Sequence, residues 1–315
     1  MSIKETLAQF NIPDKKLKGL QELPNSLQDQ KTFALLIFSL IEDLSVNMEE
    51  EDLDSLYLSG DITSISTINK DKVLTGKITA KQDGVIAGLP VAKAIFRLVS
   101  PEIEFSPLIN DGTKVSEGEI VAEVQGPGRA ILTAERPALN FLGRMSGTAS
   151  LTREFVDKVK NTNAVILDTR KTAPGFRKLD KYAVRMGGGK NHRMGLFDMA
   201  LIKDNHIDGA GSIEAAVSGV RKKYGDQFPI EVEVKDLEEL QIALRLDVER
   251  IMLDNMDMNK MKEAVVITHG RTPLEASGNV SLERIRDIAE TGVDFISIGV
   301  LTHSAPAFDL SMRLL

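Results

Sequence analysis

The sequence predicts an α/β protein in which a parallel sheet with helical crossovers follows a β-rich N-terminal region. Three observations predict it. From residue 165 onward short apolar runs recur, at Val165–Leu167, Ala200–Ile202, Ile230–Val234, Arg250–Leu253, Leu274–Ala276 and Phe295–Ile298. Helix-like stretches separate them, among them Gly211–Tyr224, Leu237–Leu246 and Leu282–Thr291, and this alternation specifies parallel strands joined by crossovers. Nearly every run ends in a polar or glycine-bearing cluster (DTRK, KDNH, EVEVKD, LDN, EASGN, SIGVLTHS), which is where such folds place their chemistry. Periodicity leaves both a closed barrel and an open sheet available, and chemistry-bearing ends on all six runs favour closure.

In chain order, residues 1–58 read as helical. Phe33–Ile41 carries an apolar face, and the acidic run Glu49–Asp54 reads as a solvated helix face. From Gly60 the texture changes to short β-prone pieces, Ile62–Ile68, Val73–Ala80, Val85–Ile86, Ile120–Val124 and Ala130–Leu132. Asp-Gly and Glu-Gly turns cut them at 83–84, 111–112 and 117–118. The piece DGTKVSEGEIVAEVQG resembles the small β-sandwich of lipoyl- and biotinyl-type domains, but Lys114 does not stand in their acceptor turn, so a structural sandwich is expected. A helix follows from near Thr133, an N-cap with Pro137 in its first turn, to about Val159.

Composition bounds the partners. At 315 residues the chain exceeds a usual single domain, and 42% hydrophobic residues with 27% charged ones supply a sizeable core. The absence of cysteine excludes disulfides and thiolate metal sites and fits a reducing, cytoplasmic setting. The N-terminus MSIKETLAQF lacks the apolar core of a signal peptide, and the apolar run Phe33–Phe38 is too short to span a bilayer, so no membrane partner is expected. The histidines at 192, 206, 269 and 303 stand without HExxH-type spacing, which argues against a histidine-built zinc site. A net charge of −7 and a pI of about 5.3 argue against nucleic acid.

The stretch 164–206 departs from that acidic balance, with nine Lys/Arg against four Asp. A basic focus inside an acidic chain points to a pocket for a small, highly anionic ligand. Arg136, Arg170, Lys171 and Arg193 stand out as cations for carboxylate or phosphate, with His192 and Lys203 close behind. Arg177, Lys178, Lys181 and Lys190 read as surface salt-bridging residues. His192, beside Asn191 and Arg193 in a glycine-rich loop, reads as a ligand contact. Glu233 and Asp254 end successive strands, where carboxylates can hold Mg²⁺, ribose hydroxyls or a developing positive charge. Ser277-Gly278-Asn279 and Gly299 fall in the last two strand-end loops, where barrels bind phosphate through backbone N–H groups. The run Gly187–Lys190 is not a P-loop, because Asn191 stands where Ser/Thr is needed.

The run DTRKTAPGFRKLDKYAVRMGGGKNHRMGLFDMALIKDNHI resembles the signature of the quinolinate phosphoribosyltransferases, also called nicotinate-nucleotide pyrophosphorylases (carboxylating). GDITS (60–64), DGVIAGLP (83–90), ERPALNFLGRMSGTAS (135–150), EVEV (231–234), LDN (253–255) and TGVDFISIGVLTHS (291–304) extend the likeness from Phe33 to the C-terminus. The resemblance implies an irregular, incomplete α/β barrel with an N-terminal α/β sandwich. It divides the chain into a sandwich over 1–138, a catalytic barrel over 139–305 and a tail over 306–315 that packs back on the N-terminal domain. It implies a Mg²⁺-dependent reaction of quinolinate with phosphoribosyl pyrophosphate that gives nicotinate mononucleotide, pyrophosphate and CO₂ in NAD biosynthesis. It also implies a cytoplasmic homodimer with active sites shared between subunits. By motif position Arg136, Thr169, Arg170, His192, Arg193 and Lys203 contact the dicarboxylate. Lys171, Glu233 and Asp254, the catalytic set, face the ribose, pyrophosphate and metal, the two carboxylates reaching the metal directly or through water. Ser277, Gly278, Asn279, Gly299 and His303 hold the 5′-phosphate.

Two departures from the family pattern stand out. Asn279 replaces the usual second glycine after Ser-Gly, and a longer acidic link, Val46–Ser59, precedes Gly60-Asp61. A phosphoribosyltransferase-like protein found with molybdate transport is similar in DTRKT and HRMGL, but KDNH is not expected in it. A non-catalytic anion sensor on the same fold would have no use for both Glu233 and Asp254.

Overall fold

The computed structural model describes residues 19–44 and 60–315, so the acidic run Glu49–Asp54 and the link Val46–Ser59 lie outside the described residues. The chain divides into two compact units. One holds residues up to Ser150 together with Ala173–Gly187 and Ala305–Leu315, and the other holds Leu151–Thr172 and Gly188–Ser304. The expected boundary at 138/139 falls inside one continuous helix, and the segment 173–187, expected in the barrel, belongs to the first unit.

In the first unit, α1 (Gln30–Leu44) buries Phe33, Leu36, Ile37, Leu40 and Leu44 at helical spacing. The strand expected over Ile62–Ile68 is instead a helix, α2 (Ile62–Thr67), opened by the Asp61 carboxylate accepting the Ser64 N–H at 2.9 Å. That cap outweighs the weak β preference of Ile and Thr in so short a segment. β1 (Val73–Ala80) buries Gly76, Ile78 and Ala80 in alternation. Next come β2 (Gly84–Val85), α3 (Leu89–Val99), β3 (Glu104–Pro107), β4 (Lys114–Val115) and β5 (Ile120–Pro127). Asp111 ties the start of α3, accepting the Gly88 and Leu89 N–H groups at 2.9 and 3.0 Å and the Tyr182 hydroxyl at 2.8 Å.

α4 (Gly128–Val159) follows β5 without a linker. Ile131, Ala134, Ala138, Leu142, Met145 and Ala149 form a buried stripe along it at spacings of three and four. This helical period carries Ala130–Leu132, expected as a strand, into the helix. Thr133, expected as the N-cap, is therefore interior, and its hydroxyl donates to Asp61 Oδ2 at 3.0 Å. Pro137 likewise stands inside the helix rather than in its first turn.

The remaining elements are β6 (Val165–Leu167), α5 (Arg177–Met186), β7 (Ala200–Ile202), α6 (Asp204–Ala210), α7 (Ile213–Tyr224), β8 (Ile230–Val234), α8 (Leu237–Leu244), β9 (Arg250–Asp254), α9 (Met258–Thr268), β10 (Leu274–Ser277), α10 (Ile285–Ala289), β11 (Phe295–Ser297), α11 (Val300–His303) and β12 (Leu310–Leu314). Side-chain caps begin three of the crossover helices: Ser212 for α7, Asp236 for α8 and Asp257 for α9. Among the described residues no helix is long and apolar enough to cross a membrane.

β6 to β11 form one parallel sheet in the order β6-β11-β10-β9-β8-β7. The first two strands in sequence are thus its two edges, the arrangement of an incomplete α/β barrel. Lys190 adds a single parallel bridge beside β6, its N–H donating to the Ile166 carbonyl at 2.8 Å. Strand alternation separates two faces. Ile230, Val232, Val234, Ile251, Leu253, Leu274, Ala276 and Ile296 form an apolar one. The other face carries Glu233, Asp254, Ser277 and Ser297 at the strand C-termini, with Glu231, Met252 and Glu275 one step below. In the first unit β12 pairs antiparallel with β1, completing a sheet of order β12-β1-β5-β3.

Candidate active site

A groove of about 670 Å³ in the first unit is lined mainly by Leu35, Phe38, Ile41, Phe141 and Phe176. The chemistry lies elsewhere, in a cavity of about 470 Å³ at the C-terminal ends of the parallel strands. Thr169, Arg170, Lys171, His192, Arg193, Lys203, Glu233, Asp254, Ser277, Gly278 and Asn279, all expected site residues, line it together. Gly299 and His303 are not in the lining but adjoin it. A Cβ on Gly299 would stand 3.0 Å from Lys171 Cδ and 3.3 Å from the His303 ring. Arg136, on α4, is exposed and belongs to the first unit.

Each strand end fixes its own groups. After β6, Asp168 is wholly buried and accepts Asn191 Nδ2–H at 2.5 Å and the His192 N–H at 2.9 Å, anchoring the loop that carries His192 and Arg193. The Lys171 main chain is held on both sides, its N–H donating to Thr169 Oγ1 at 3.0 Å and its carbonyl accepting the Thr302 hydroxyl at 2.7 Å. Arg193 donates from a guanidinium nitrogen to the Met199 carbonyl at 3.1 Å. Burial and the neighbouring Arg170 lower its pKa. After β7, Lys203 pairs with Glu233 of β8, and His206 Nδ1 accepts the Lys203 N–H at 3.0 Å, closing the start of α6.

After β9, Asn255 holds a left-handed φ of 51° and donates from Nδ2 to both Asp254 carboxylate oxygens, at 2.9 and 3.0 Å. Its own N–H donates to the Ser277 carbonyl at 2.9 Å. Gly278, at φ +91°, is where a Cβ would lie within 2.5 Å of Asn255 Cγ, so the glycine makes room for that amide. Asn279, the departure from the family pattern, takes a left-handed φ of 53°, a conformation Asn adopts more readily than most residues.

Beneath the cavity lies a charged layer that sequence reasoning missed. His192 Nε2 stands 3.1 Å from Glu231 and 3.4 Å from Glu275, and both carboxylates are 0% exposed. Arg250 donates to the second Glu275 oxygen at 2.9 Å and lies 4.3 Å from the Phe295 ring centroid. Burial lowers the hold of His192 on a proton, but the two carboxylates outweigh it and push the imidazole up to about 9. His192 Nδ1 accepts the Arg193 N–H at 2.7 Å, which requires a bare Nδ1. In that arrangement the ring carries its proton on Nε2, the nitrogen that faces the two carboxylates. Burial and the Glu275 charge push the Glu231 carboxyl up.

The signal for this layer was present in EVEV and LEAS. A Glu two residues before a strand-end group shares its face, one step deeper. Among the residues read as surface cations, Lys178 pairs with Asp29 at 3.0 Å, but Lys181 is wholly buried, because α5 turns that side inward within the first unit.

Comparison with known proteins assigns this architecture. The model of the quinolinate phosphoribosyl transferase N-terminal domain matches residues 61–146, and that of the C-terminal domain matches residues 148–313. The chain is 45% identical over 273 residues to the mitochondrial quinolinate phosphoribosyltransferase (decarboxylating) 2b of Nicotiana tabacum, covering 81% of this chain and 77% of that one. It is 47% identical over 238 residues to the probable nicotinate-nucleotide pyrophosphorylase (carboxylating) of Synechocystis sp., covering 75% and 81%. The solved nicotinate-nucleotide pyrophosphorylase of Francisella tularensis aligns with a TM-score of 0.84 at 38% identity, over 93% of this chain and 98% of that chain. With both domain models matched in order and relatives at this identity along most of its length, the chain belongs to the quinolinate phosphoribosyltransferase family.

Proposed function

We propose that this enzyme transfers the phosphoribosyl group of phosphoribosyl pyrophosphate to the ring nitrogen of quinolinate, with loss of CO₂, giving nicotinate mononucleotide and pyrophosphate. One observation carries the reading: four cations, two strand-end carboxylates and a glycine turn share one cavity. Arg170, Arg193 and Lys203 meet the two carboxylates of the pyridine, and Thr169 adds a hydroxyl. Lys203 keeps one donor on Glu233 and has two left for substrate. Lys171 faces the pyrophosphate. Ser277, Gly278, Asn279 and Gly299 offer the 5′-phosphate their N–H groups, with His303 alongside.

The ring nitrogen attacks the anomeric carbon as the bond to pyrophosphate breaks, and positive charge builds on the sugar. Glu233 and Asp254 stabilise that charge in place, Asp254 already oriented by Asn255. Ribosylation leaves the ring nitrogen cationic, and the adjacent C–CO₂⁻ bond breaks with its electron pair drawn toward that nitrogen before a proton replaces CO₂. The cations hold the ring in place through this step, so positioning supplies most of the acceleration.

Mg²⁺ belongs to the proposal. Glu233 and Asp254 are hard oxygen donors on adjacent strands, the sparse carboxylate set this ion uses beside substrate phosphates. When bound it would offset charge on the pyrophosphate. The His192, Glu231 and Glu275 trio does not fit a cation, because coordination through Nε2 would put a proton on Nδ1 facing the Arg193 N–H.

The proposal extends to a homodimer with shared sites. Arg136, exposed on α4, is the cation each chain would lend its partner. Leu196 and Phe197, 73% and 71% exposed in a turn closed by Asp198, are apolar surface of the kind a subunit interface covers. The cysteine-free composition supports a cytoplasmic setting.

The test is pyrophosphate release by purified protein with phosphoribosyl pyrophosphate, Mg²⁺ and either quinolinate or nicotinate. Release with quinolinate alone is expected, since nicotinate lacks the second carboxylate that the cavity's cations are placed to meet. Equal turnover of nicotinate, or none of quinolinate, overturns the reading.

A further inference from the structure

The layer beneath the cavity has no task in the chemistry above. Glu231 lies one step below Glu233 on β8, and Glu275 one step below Ser277 on β10. Both are 0% exposed. Burying two carboxylates carries a desolvation penalty that apolar side chains of similar volume avoid. Arg250 pairs with Glu275. Neither Glu231 oxygen makes a well-formed hydrogen bond among the described residues, and the group it faces at ion-pair distance is the His192 ring.

We propose that Glu231 and Glu275 are positioning residues for Arg193, acting through His192. The inference rests on the reading of the cavity as a pyridine-dicarboxylate site. The chain of contacts is continuous. His192 Nε2 faces the two carboxylates at ion-pair distance, 3.1 and 3.4 Å. With the ring so turned, Nδ1 accepts the Arg193 N–H at 2.7 Å, while the His192 N–H is held by Asp168 at 2.9 Å. The Arg193 main chain is thereby fixed at its first atom, and its guanidinium is steadied by the Met199 carbonyl.

A consequence for recognition follows. Both nitrogens of His192 face protein groups, Nδ1 the Arg193 N–H and Nε2 the two buried carboxylates. The substrate charge falls to Arg170, Arg193 and Lys203. His192, expected from sequence to contact the ligand, contributes a wall and a fixed neighbour rather than a charge-assisted hydrogen bond.

The proposal makes a prediction opposite in sign to the simplest alternative. If the buried carboxylates act only through their field, removing one from beneath an anion site tightens quinolinate binding. If they position Arg193, removal weakens it. Glu231→Leu keeps volume but removes the acceptor, and Glu231→Gln keeps an acceptor without the charge. We expect Glu231→Leu to raise the quinolinate KM about tenfold, as the ring loses the carboxylate it faces at ion-pair distance and Arg193 loses its fixed neighbour. The KM for phosphoribosyl pyrophosphate should move less than about twofold, and Glu231→Gln should recover most of the loss. A lower or unchanged quinolinate KM in Glu231→Leu, or equal shifts in both KM values, overturns the proposal.

Should Glu231→Leu not fold, ¹⁵N spectra of the imidazoles in the intact enzyme decide. The His192 signal is identified by its loss in His192→Gln. It should show a protonated Nε2 and a bare Nδ1, and a proton on Nδ1 overturns the proposal. Failure of the wild-type enzyme to consume quinolinate would instead remove the reading on which this rests.

Discussion

Gly278→Ala tests the strand-end geometry most directly. The added methyl has two effects that can be separated. At φ +91° an L-residue is strained, at a cost of about 1–2 kcal/mol in stability. The methyl would also stand within 2.5 Å of Asn255 Cγ, so the amide must swing away and release both Asp254 oxygens. A hydrogen bond to a charged group contributes about 1.5–3 kcal/mol. If that contribution orients Asp254 for the transition state, kcat should fall about 10- to 100-fold. Asn255→Gly removes the amide and relieves its own left-handed φ, so it should lower kcat similarly without the loss of stability. The assay is pyrophosphate release at saturating substrates, with thermal unfolding recorded on each variant. In the Asn255→Gly background, Gly278→Ala should cost stability but little further activity. If it costs as much kcat there as in the wild type, Gly278 does not act through Asn255, and the argument fails.

Two further outcomes follow from the geometry. Refolding Arg136→Ala together with Lys171→Ala should restore about a quarter of wild-type activity, because half the dimers are mixed and each carries one intact shared site; activity that stays at the baseline of the single variants removes the shared-site model. Asp61→Ala should lower stability by about 1–2 kcal/mol through loss of the α2 cap. Burial raises the Asp61 carboxyl, but hydrogen bonds from Ser64 and Thr133 outweigh it and hold the group below the ordinary aspartate range. Its stabilisation is therefore full above that range and is lost as pH falls through the lowered value. Thermal unfolding of wild type and variant should converge in acid, and a gap independent of pH contradicts the cap.

The catalytic sheet was legible because each strand is a short apolar run stopped by charge. β6 to β11 begin where expected, and only the ends of β9, β10 and β11 move by one residue. The strand-end residues were legible for the same reason, since an abrupt change from apolar to charged marks where a strand leaves the core. What sequence concealed was decided by longer-range packing. Ala130–Leu132 looks like a strand by itself and becomes helix through a stripe that reaches Ala149. Ile62–Thr67 turned on one cap. Lys181 looks solvent-bound until α5 joins the first unit, and Glu231 and Glu275 look like surface alternation until the strands close over them. Charge in a strand does not say which face is dry.

The pairing of β12 with β1 bears on how the polypeptide is made. The first unit is assembled from residues up to Ser150, from 173–187 and from the last eleven residues, Ala305–Leu315. Synthesis from the N-terminus therefore delivers every strand of the parallel sheet before the first unit receives its final one. Until then the stretch Gly76–Ala80 presents an unpaired edge, the kind of template on which strands of other molecules add. A chain cut short before Leu310 would keep its whole cavity and leave that edge open, so its characteristic defect would be self-association rather than lost chemistry.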